Sequence, residues 1–235
     1  MMHPIIQKIQ DLITRIQNAI QRLADIINAV LGQVPDFLQW VVDKVTSAWD
    51  ELMKKIGELW DKLGEFFSFV GDPGAIQAAA DSWHDLGVAA STAATTVTGG
   101  QLYAEDPGIW SGSTAMAYRG RVGDQQATIA AINDKIATTM SSSLVTLKGA
   151  VITLYWMLAG ALAALATGII SGLGSSATIL GLPPGVAIII GAVVVAIVAI
   201  GKGYFDFQGA VNTGQTTMLA TITDTKVVSW PQFVA

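Results

Sequence analysis

Few residues of this 235-residue chain have the types and spacing that catalysis or metal binding requires. His84 lies between Asp81 and Asp85, a grouping that suits acid–base chemistry or a metal ion. A lone histidine on a charged helix face is more often solvated, and no nucleophile lies nearby in sequence. Glu105 and Asp106 form an adjacent carboxylate pair, a weak candidate for a cation site because neighbouring side chains in a turn normally point apart.

Two further patterns have a structural interpretation that is stronger than the chemical one. Gly172-x-Gly174-x-x-Ala177 matches a dinucleotide fingerprint loosely, but a helix-length run precedes it and no acidic residue follows before Asp206. The pattern therefore favours a turn between apolar helices. The serines at 141–143 are better explained as small residues on a helix seam than as nucleophiles.

The composition lacks most of the residue types on which the sites of common enzymes depend. The chain has no cysteine and only two histidines, which excludes thiolate metal sites, thiol nucleophiles and multi-histidine centres. Its formal net charge of −5 gives no electrostatic footprint for nucleic acid. We therefore predict a protein that is not an enzyme, with no cofactor, no metal, no nucleic-acid partner and no small-molecule substrate.

The charged residues are strongly segregated along the chain. Hydrophobic residues make up 51% of the sequence and charged residues 13%, yet the 53 residues from 149 to 201 contain no charge at all. The 23 residues 149–171 and the 18 residues 184–201 are each long enough to cross a hydrocarbon layer of ~30 Å, the second barely. The Gly-, Ser- and Pro-rich link between them is predicted to turn. Residues 149–202 thus predict an apolar helical hairpin, with membrane lipid as an expected partner.

Residues within and around this hairpin suggest how it packs and where it stops. Small residues recur at four-residue intervals in the first span, the pattern by which helices approach closely in lipid: Gly160, Ala164, Gly168 and Gly172. Aromatic and basic residues flank the uncharged run and are predicted to act as anchors at the membrane interface: Lys148, Tyr155, Trp156 and Lys202. Because a hairpin returns to the side where it started, both lysines are expected on one face of a bilayer.

The first 70 residues predict a second, amphipathic hairpin. Apolar residues alternate at spacings of three and four over 6–34, and again over 38–70, which is typical of helices that pair along a seam. The second helix carries further apolar residues off its seam: Phe37, Trp40, Val41, Trp60 and Phe67. Its apolar face is too wide for one partner helix, so we expect it to contact another element as well.

The middle of the chain, residues 71–148, predicts two alanine-rich helices joined by a polar loop. The segment from Gly71 to Trp83 reads GDPGAIQAAADSW, and WSGSTAMAY begins at Trp110 after the loop. This W-x-G-x-x-A-x-x-Y pattern resembles the WXG family of actinobacterial type VII secretion substrates over about residues 71–140. The helix following it is expected to begin at Ser113 or Thr114 and to continue into the first apolar span.

The resemblance implies a helix-turn-helix hairpin with W-x-G in its turn, in a protein that acts as an exported partner or effector without catalytic residues. It marks Trp110, Gly112 and Tyr118 as contacts for a WXG-type partner or for self-association. The alternative is that Trp110 is a core residue of the chain's own bundle. The family's export signal, a tyrosine followed four residues later by Asp or Glu, is absent.

Together these observations predict an all-α fold, an elongated bundle with four segments: residues 1–70, 71–148, 149–202, and a C-terminal helix and tail over 203–235. The expected function is a type VII secretion-associated protein that oligomerises or inserts its apolar hairpin in a membrane. It would be secreted or attached to the cell envelope without a signal peptide, since no apolar leader segment precedes the first helix. The alternative is a resident inner-membrane accessory or immunity protein.

Overall fold

The protein is all-α. The computed structural model describes residues 4–69, 71–97, 111–176, 178 and 180–223, and no strand occurs among them. A short 3₁₀ turn at Asp36–Leu38 precedes the second helix, and a π-helical segment, Ile132–Ala137, lies between the fourth and the fifth. Six α-helices lie within the described residues: α1 Pro4–Leu31, α2 Gln39–Phe69, α3 Pro73–Thr96, α4 Ser113–Ala131, α5 Thr138–Ser175 and α6 Leu182–Ile222.

The chain divides into two compact units. Unit 1 comprises Met1–Val70 and Val151–Gln208, and unit 2 comprises Gly71–Ala150 and Gly209–Ala235. Both boundaries on the C-terminal side fall inside continuous helices, one within α5 and one within α6. The uncharged hairpin therefore belongs almost entirely to the same unit as the amphipathic N-terminal hairpin.

In unit 1, α1 and α2 form the predicted amphipathic hairpin. Ile9, Ile16 and Leu23 of α1 are fully buried, and so are alternate seam positions of α2 such as Leu52 and Leu59. Residues near the end of α1 line a small cavity together with Thr46 and Trp49 near the start of α2, so the two helices run antiparallel. The seam prediction is confirmed at most positions. In α1, however, Ile5 and Leu12 are buried rather than Ile6 and Ile13, and near the start of α2 Val41 rather than Val42 is the fully buried residue.

The second hairpin of unit 1 consists of α5 from Val151 onward and α6 up to Gln208. A Cβ at Gly203 would lie 3.3 Å from side-chain atoms of both Leu154 and Met157, and a Cβ at Gly172 would collide with Ile189. The helices are thus antiparallel, and their closest approach is near the turn. There the buried Ser176 hydroxyl donates to the Gly172 carbonyl oxygen over 2.8 Å, which satisfies the only buried hydroxyl at this turn within the described residues.

The two hairpins contact each other at the end where α1 begins, which we call the base of unit 1. Lys8 Nζ lies 5.3 Å from the centre of the Trp156 ring, and the Phe66 and Tyr155 rings meet edge to face at 5.8 Å. Buried residues continue along both helices from this level to Ile27 of α1 and Val41 of α2. A pair of helices alone leaves both edges of its seam open to water, so the second hairpin lies alongside the first and closes a four-helix core.

Unit 2 is built on close contact between small residues. The alanine-rich helix α3 packs through its small residues, since Ala80, Ala90 and Ala94 are buried. A Cβ at Gly87 would collide with Asn133 and would lie 2.9 Å from the Ala137 Cβ. This glycine therefore admits the π-helical segment directly against α3.

Two side-chain hydrogen bonds tie α3 to the long helix opposite. Asn133 Nδ2 donates to Ser91 Oγ over 2.8 Å, and Lys148 Nζ donates to Gln77 Oε1 over 2.9 Å. The helix that begins at Ser113 runs through the π segment to Ser175, so the predicted start and continuity are both confirmed. The π segment itself was not predicted, because nothing in the local periodicity indicates it.

Candidate membrane-interaction surface

Helix α6 has two apolar faces, of which only one is buried. The inner face packs within unit 1 and includes Leu182, Val186, Ile189, Val193 and Ala196. The outer face, defined here by its large exposed residues, consists of Ile188, Val194, Val195 and Val198. An outer face of a water-soluble bundle helix is normally charged or polar. This face is aliphatic and lies wholly within the uncharged run.

The exposed side of α5 within unit 1 is also without charge. Trp156, Met157 and Ile170 are its large exposed residues, and small residues such as Gly160 and Ala164 lie between them. The two helices are long and apolar enough to cross a membrane, with mean hydropathies of 1.8 and 2.7 over their most apolar 18 residues. Only 44% and 33% of those stretches are buried in the protein, so folding alone does not use most of their apolar surface.

The four small residues of the predicted packing ladder divide into two pairs. Gly168 and Gly172 face α6, where an added Cβ would collide with Ala192 and Ile189 respectively. Gly160 and Ala164 are exposed, and a Cβ at Gly160 would meet nothing within 4 Å. Four-residue steps drift by about 40° each around a helix, so residues 160 and 172 point about 120° apart. The ladder therefore contributes to two surfaces rather than one.

The four predicted interfacial anchors also lie in different environments. Trp156 is exposed, and Lys202 is exposed beside Asp206 with its Nζ 2.6 Å from the carboxylate. Tyr155, in contrast, is buried against Phe66, and half-buried Lys148 is engaged by Gln77 within unit 2. Trp156 and Lys202 share the base of unit 1, because Gly203 contacts Met157 there.

The residues singled out by the WXG resemblance are only partly described. Trp110 lies outside the described residues. Gly112 precedes α4 with φ +102°, a conformation that favours glycine, and it is exposed with nothing within 4 Å of an added Cβ. Tyr118 is half-buried in α4. The backbone conformation thus explains why residue 112 is a glycine. The role of Trp110, Gly112 and Tyr118 as contacts stays a prediction.

Within the described ranges, the candidate catalytic and metal-binding residues do not come together in a site. His84 is exposed on α3, and no group of three His, Cys, Asp or Glu side chains is placed to hold a metal among the described residues. Gly172 and Gly174 are helical residues of α5, which does not suit a phosphate-binding loop. Ser143 is buried in α5, as the seam interpretation expects. The Glu105–Asp106 pair lies outside the described residues, as does Ala177.

Sequence reasoning missed which residues join the two hairpins of unit 1. Lys8 and Phe66 meet Trp156 and Tyr155 at the base, and Phe66 also lines a cavity of about 220 Å³ with Ile200 and Tyr204 of α6. The only signal was the surplus apolar width of α2, which predicted a further contact but not its partner.

These features define an all-α protein with an uncharged helical hairpin, one face of which is covered by an amphipathic hairpin of the same chain. Comparisons with protein-family models, curated proteins and solved structures give no match.

Proposed function

We propose that this protein is a non-enzymatic, membrane-active protein associated with type VII secretion, and that it works by inserting its apolar hairpin in a bilayer or by oligomerising through it. The observation that supports this most directly is the outer face of α6. Exposed Ile188, Val194, Val195 and Val198 leave apolar surface in water that the fold does not require. Contiguous exposed apolar surface of this kind marks protein or membrane contacts.

The N-terminal hairpin supports a form of the protein that is soluble before insertion. In unit 1, α1 and α2 cover the inner side of α5 and α6, and their own outer faces carry charges such as the Lys55–Glu58 and Lys62–Glu65 pairs. In water this arrangement shields the inner side of the apolar hairpin. At a bilayer, lipid would replace water on the outer face of α6, and release of the charged N-terminal hairpin would let the apolar hairpin insert.

The link to type VII secretion comes from residues 71–140. Their resemblance to the WXG family implies export without a signal peptide and a helical partner, or self-association, through Trp110, Gly112 and Tyr118. A secreted or envelope-associated protein with an insertable hairpin is consistent with a pore-forming effector.

A second candidate function is favoured by the length of the two apolar helices. Each can cross a membrane by length and composition. A resident integral membrane protein would use them permanently, and its helical remainder would bind a secreted partner as an accessory or immunity factor.

Fractionation of producing cells separates the two candidates. The first predicts protein in the culture filtrate or on the cell surface, whereas the second predicts protein in the inner membrane that resists carbonate extraction. Sizing of the purified chain with and without detergent then tests insertion and oligomerisation. A monomer in both conditions that also fails to associate with vesicles would overturn the membrane proposal.

A further inference from the structure

The two hairpins of unit 1 turn at the same end. Their base is fixed by Lys8 against Trp156 and by Phe66 against Tyr155. From Lys8, α1 continues for 23 residues to Leu31, and from Trp156, α5 continues for 19 residues to Ser175. At 1.5 Å per residue these lengths are about 35 and 29 Å, so both turns lie roughly one bilayer core from the base.

Large apolar side chains are exposed in both turns. Phe37, between α1 and α2, is 79% exposed, Trp40, in the first turn of α2, is 52% exposed, and Leu180, between α5 and α6, is 67% exposed. We call these three residues the tip. A turn on the surface of a soluble domain is normally polar, and none of the three contributes to the core. The core of unit 1 therefore gives no reason for large apolar side chains at these three positions.

The charges near the tip are few and nearly cancel. Asp36, Asp43 and Lys44 are the only charged residues between Asp25 and Asp50, and the α5–α6 turn has none. Lys44 Nζ lies 5.9 Å from the Trp40 ring. The base, in contrast, carries Lys8 and the Lys202–Asp206 pair. An acidic lipid surface would not attract such a tip, whereas a zwitterionic one offers an apolar interior without a charge penalty.

We propose that the tip is a lipid-docking site, and that Phe37, Trp40 and Leu180 enter the headgroup layer of a zwitterionic phospholipid bilayer ahead of the rest of unit 1. Because the outer face of α2 carries ion pairs such as Lys55–Glu58, the base of unit 1, with Trp156 and Lys202, stays on the water side of this layer. This inference rests on the proposed membrane function and adds the end that enters, its orientation and the lipid class.

The first test compares two phenylalanines of similar exposure at opposite ends of unit 1. Phe37→Ser should weaken partitioning of the full chain to phosphatidylcholine vesicles about ten-fold, because an aromatic side chain no longer leaves water. Phe205→Ser is the matched control, since Phe205 is 75% exposed, follows Lys202 and lies at the base. Its partitioning should change less than two-fold. Equal losses in the two variants would overturn the proposal.

The second test measures depth directly and uses the absence of cysteine in the chain. Phe37→Cys and Phe205→Cys variants each accept one environment-sensitive fluorophore. With phosphatidylcholine vesicles, the label at 37 should shift to the blue and be quenched by nitroxides on the acyl chains, while the label at 205 should stay aqueous. The reverse pattern would overturn the tip-first orientation.

The outcomes distinguish failure of this inference from failure of the proposed function. Vesicle binding that persists while position 37 stays aqueous would remove the tip and leave membrane activity intact. Loss of all binding in the parent chain would overturn both. A dimer in water that Phe37→Ser converts to monomer, with vesicle binding unchanged, would assign the tip to a second copy of the chain instead.

Discussion

The two hairpins of unit 1 bury the same kind of surface and expose opposite kinds. On its inner side, α2 buries Leu52 and Leu59, much as α6 buries Ile189 and Val193. On its outer side, α2 carries lysine–glutamate pairs such as Lys55–Glu58 with N–O separation of 2.8 Å. The large exposed residues on the outer face of α6, from Ile188 to Val198, are all aliphatic. Burial in the core therefore explains the two inner faces, and solvated ion pairs explain the outer face of α2, whereas neither explains the aliphatic outer face of α6.

The inner and outer faces of unit 1 contribute to different properties, the outer ion pairs to solubility and the inner seams to stability. Exposed ion pairs such as those on α2 contribute roughly 0–1 kcal/mol each to folding, so their main effect is to keep the hairpin soluble. The stability of unit 1 comes from its inner seams and from the close approach at Gly168 and Gly172. Substitutions confined to a single helix face test this assignment of stability to the inner faces and solubility to the outer ones.

The largest expected effect follows a charge placed in the inner seam. Ile16 is fully buried in α1, so Ile16→Asp should lower the free energy of unfolding by roughly 3 kcal/mol or more, because an unpaired carboxylate would be buried. Urea titration and binding of an apolar dye measure this. Gln17→Asp, on the neighbouring exposed position, should leave both almost unchanged. An Ile16→Asp protein of parental stability would contradict the four-helix core.

The second effect is nearly as large but concerns membrane partitioning. Val195 is 65% exposed, so Val195→Asp should change the free energy of unfolding in water by less than about 0.5 kcal/mol. In a membrane a central aspartate costs roughly 2.5–3.5 kcal/mol, so vesicle partitioning should fall on the order of 100-fold. Gly57→Asp places the same charge on the exposed side of α2 and should have little effect on either quantity. Unchanged partitioning of Val195→Asp would remove the outer face from the proposal.

A smaller effect of opposite sign at two glycines tests the packing ladder. An added Cβ at Gly172 would collide with Ile189 and lie 2.7 Å from the Gly185 carbonyl oxygen, so Gly172→Ala should destabilise the protein by about 1–3 kcal/mol. At Gly160 there is open space, so Gly160→Ala should stabilise the helix by up to about 1 kcal/mol. Thermal unfolding of the two variants side by side gives the signs. Stabilisation by both substitutions would show that α5 and α6 do not approach closely at Gly172.

The smallest expected effect lies at the base, where the two hairpins meet. Lys8→Ala removes the cation from the face of Trp156 and should cost about 0.5–1 kcal/mol, because the ring is half exposed to water. Lys8→Arg should retain most of that energy. The melting temperatures of the two variants measure the difference. An equal loss of stability in both would show that the contact depends on the packing of the lysine side chain and not on its charge.

Much of the fold follows from periodicity alone. The 3–4 spacing predicted α1 and α2, the alanine-rich segment after Gly71 predicted α3, and the charge-free run predicted the α5–α6 hairpin. The start of α4 at Ser113 followed from the residues after Gly112. Each of these features depends on residues that lie within one or two helical turns of each other. The local sequence is therefore enough to predict them.

The candidate surface could be predicted only in part. The uncharged composition of residues 149–201 indicated a membrane, but periodicity does not indicate which side of an all-apolar helix is buried. The four-residue ladder was expected to form one packing surface, whereas Gly168 and Gly172 face α6 and Gly160 is exposed. Tyr155 and Trp156 were paired as anchors, yet one is buried and the other exposed. Adjacent helical residues point about 100° apart, so no shared environment follows from adjacency.

The sequence by itself determined that this protein is helical, where most of its helices begin and end, and that one hairpin carries no charge. Only the tertiary structure decided that residues 1–70 and 151–208 share a core, that Val195 and Val198 are exposed, and that Phe37 and Leu180 lie at the same end. The physical reason is that helix formation depends on local spacing, whereas burial depends on the rotation and register with which distant helices pack. Over residues 182–201 of α6 every face is apolar, so only the packing of α2 and α5 selects the face that stays exposed.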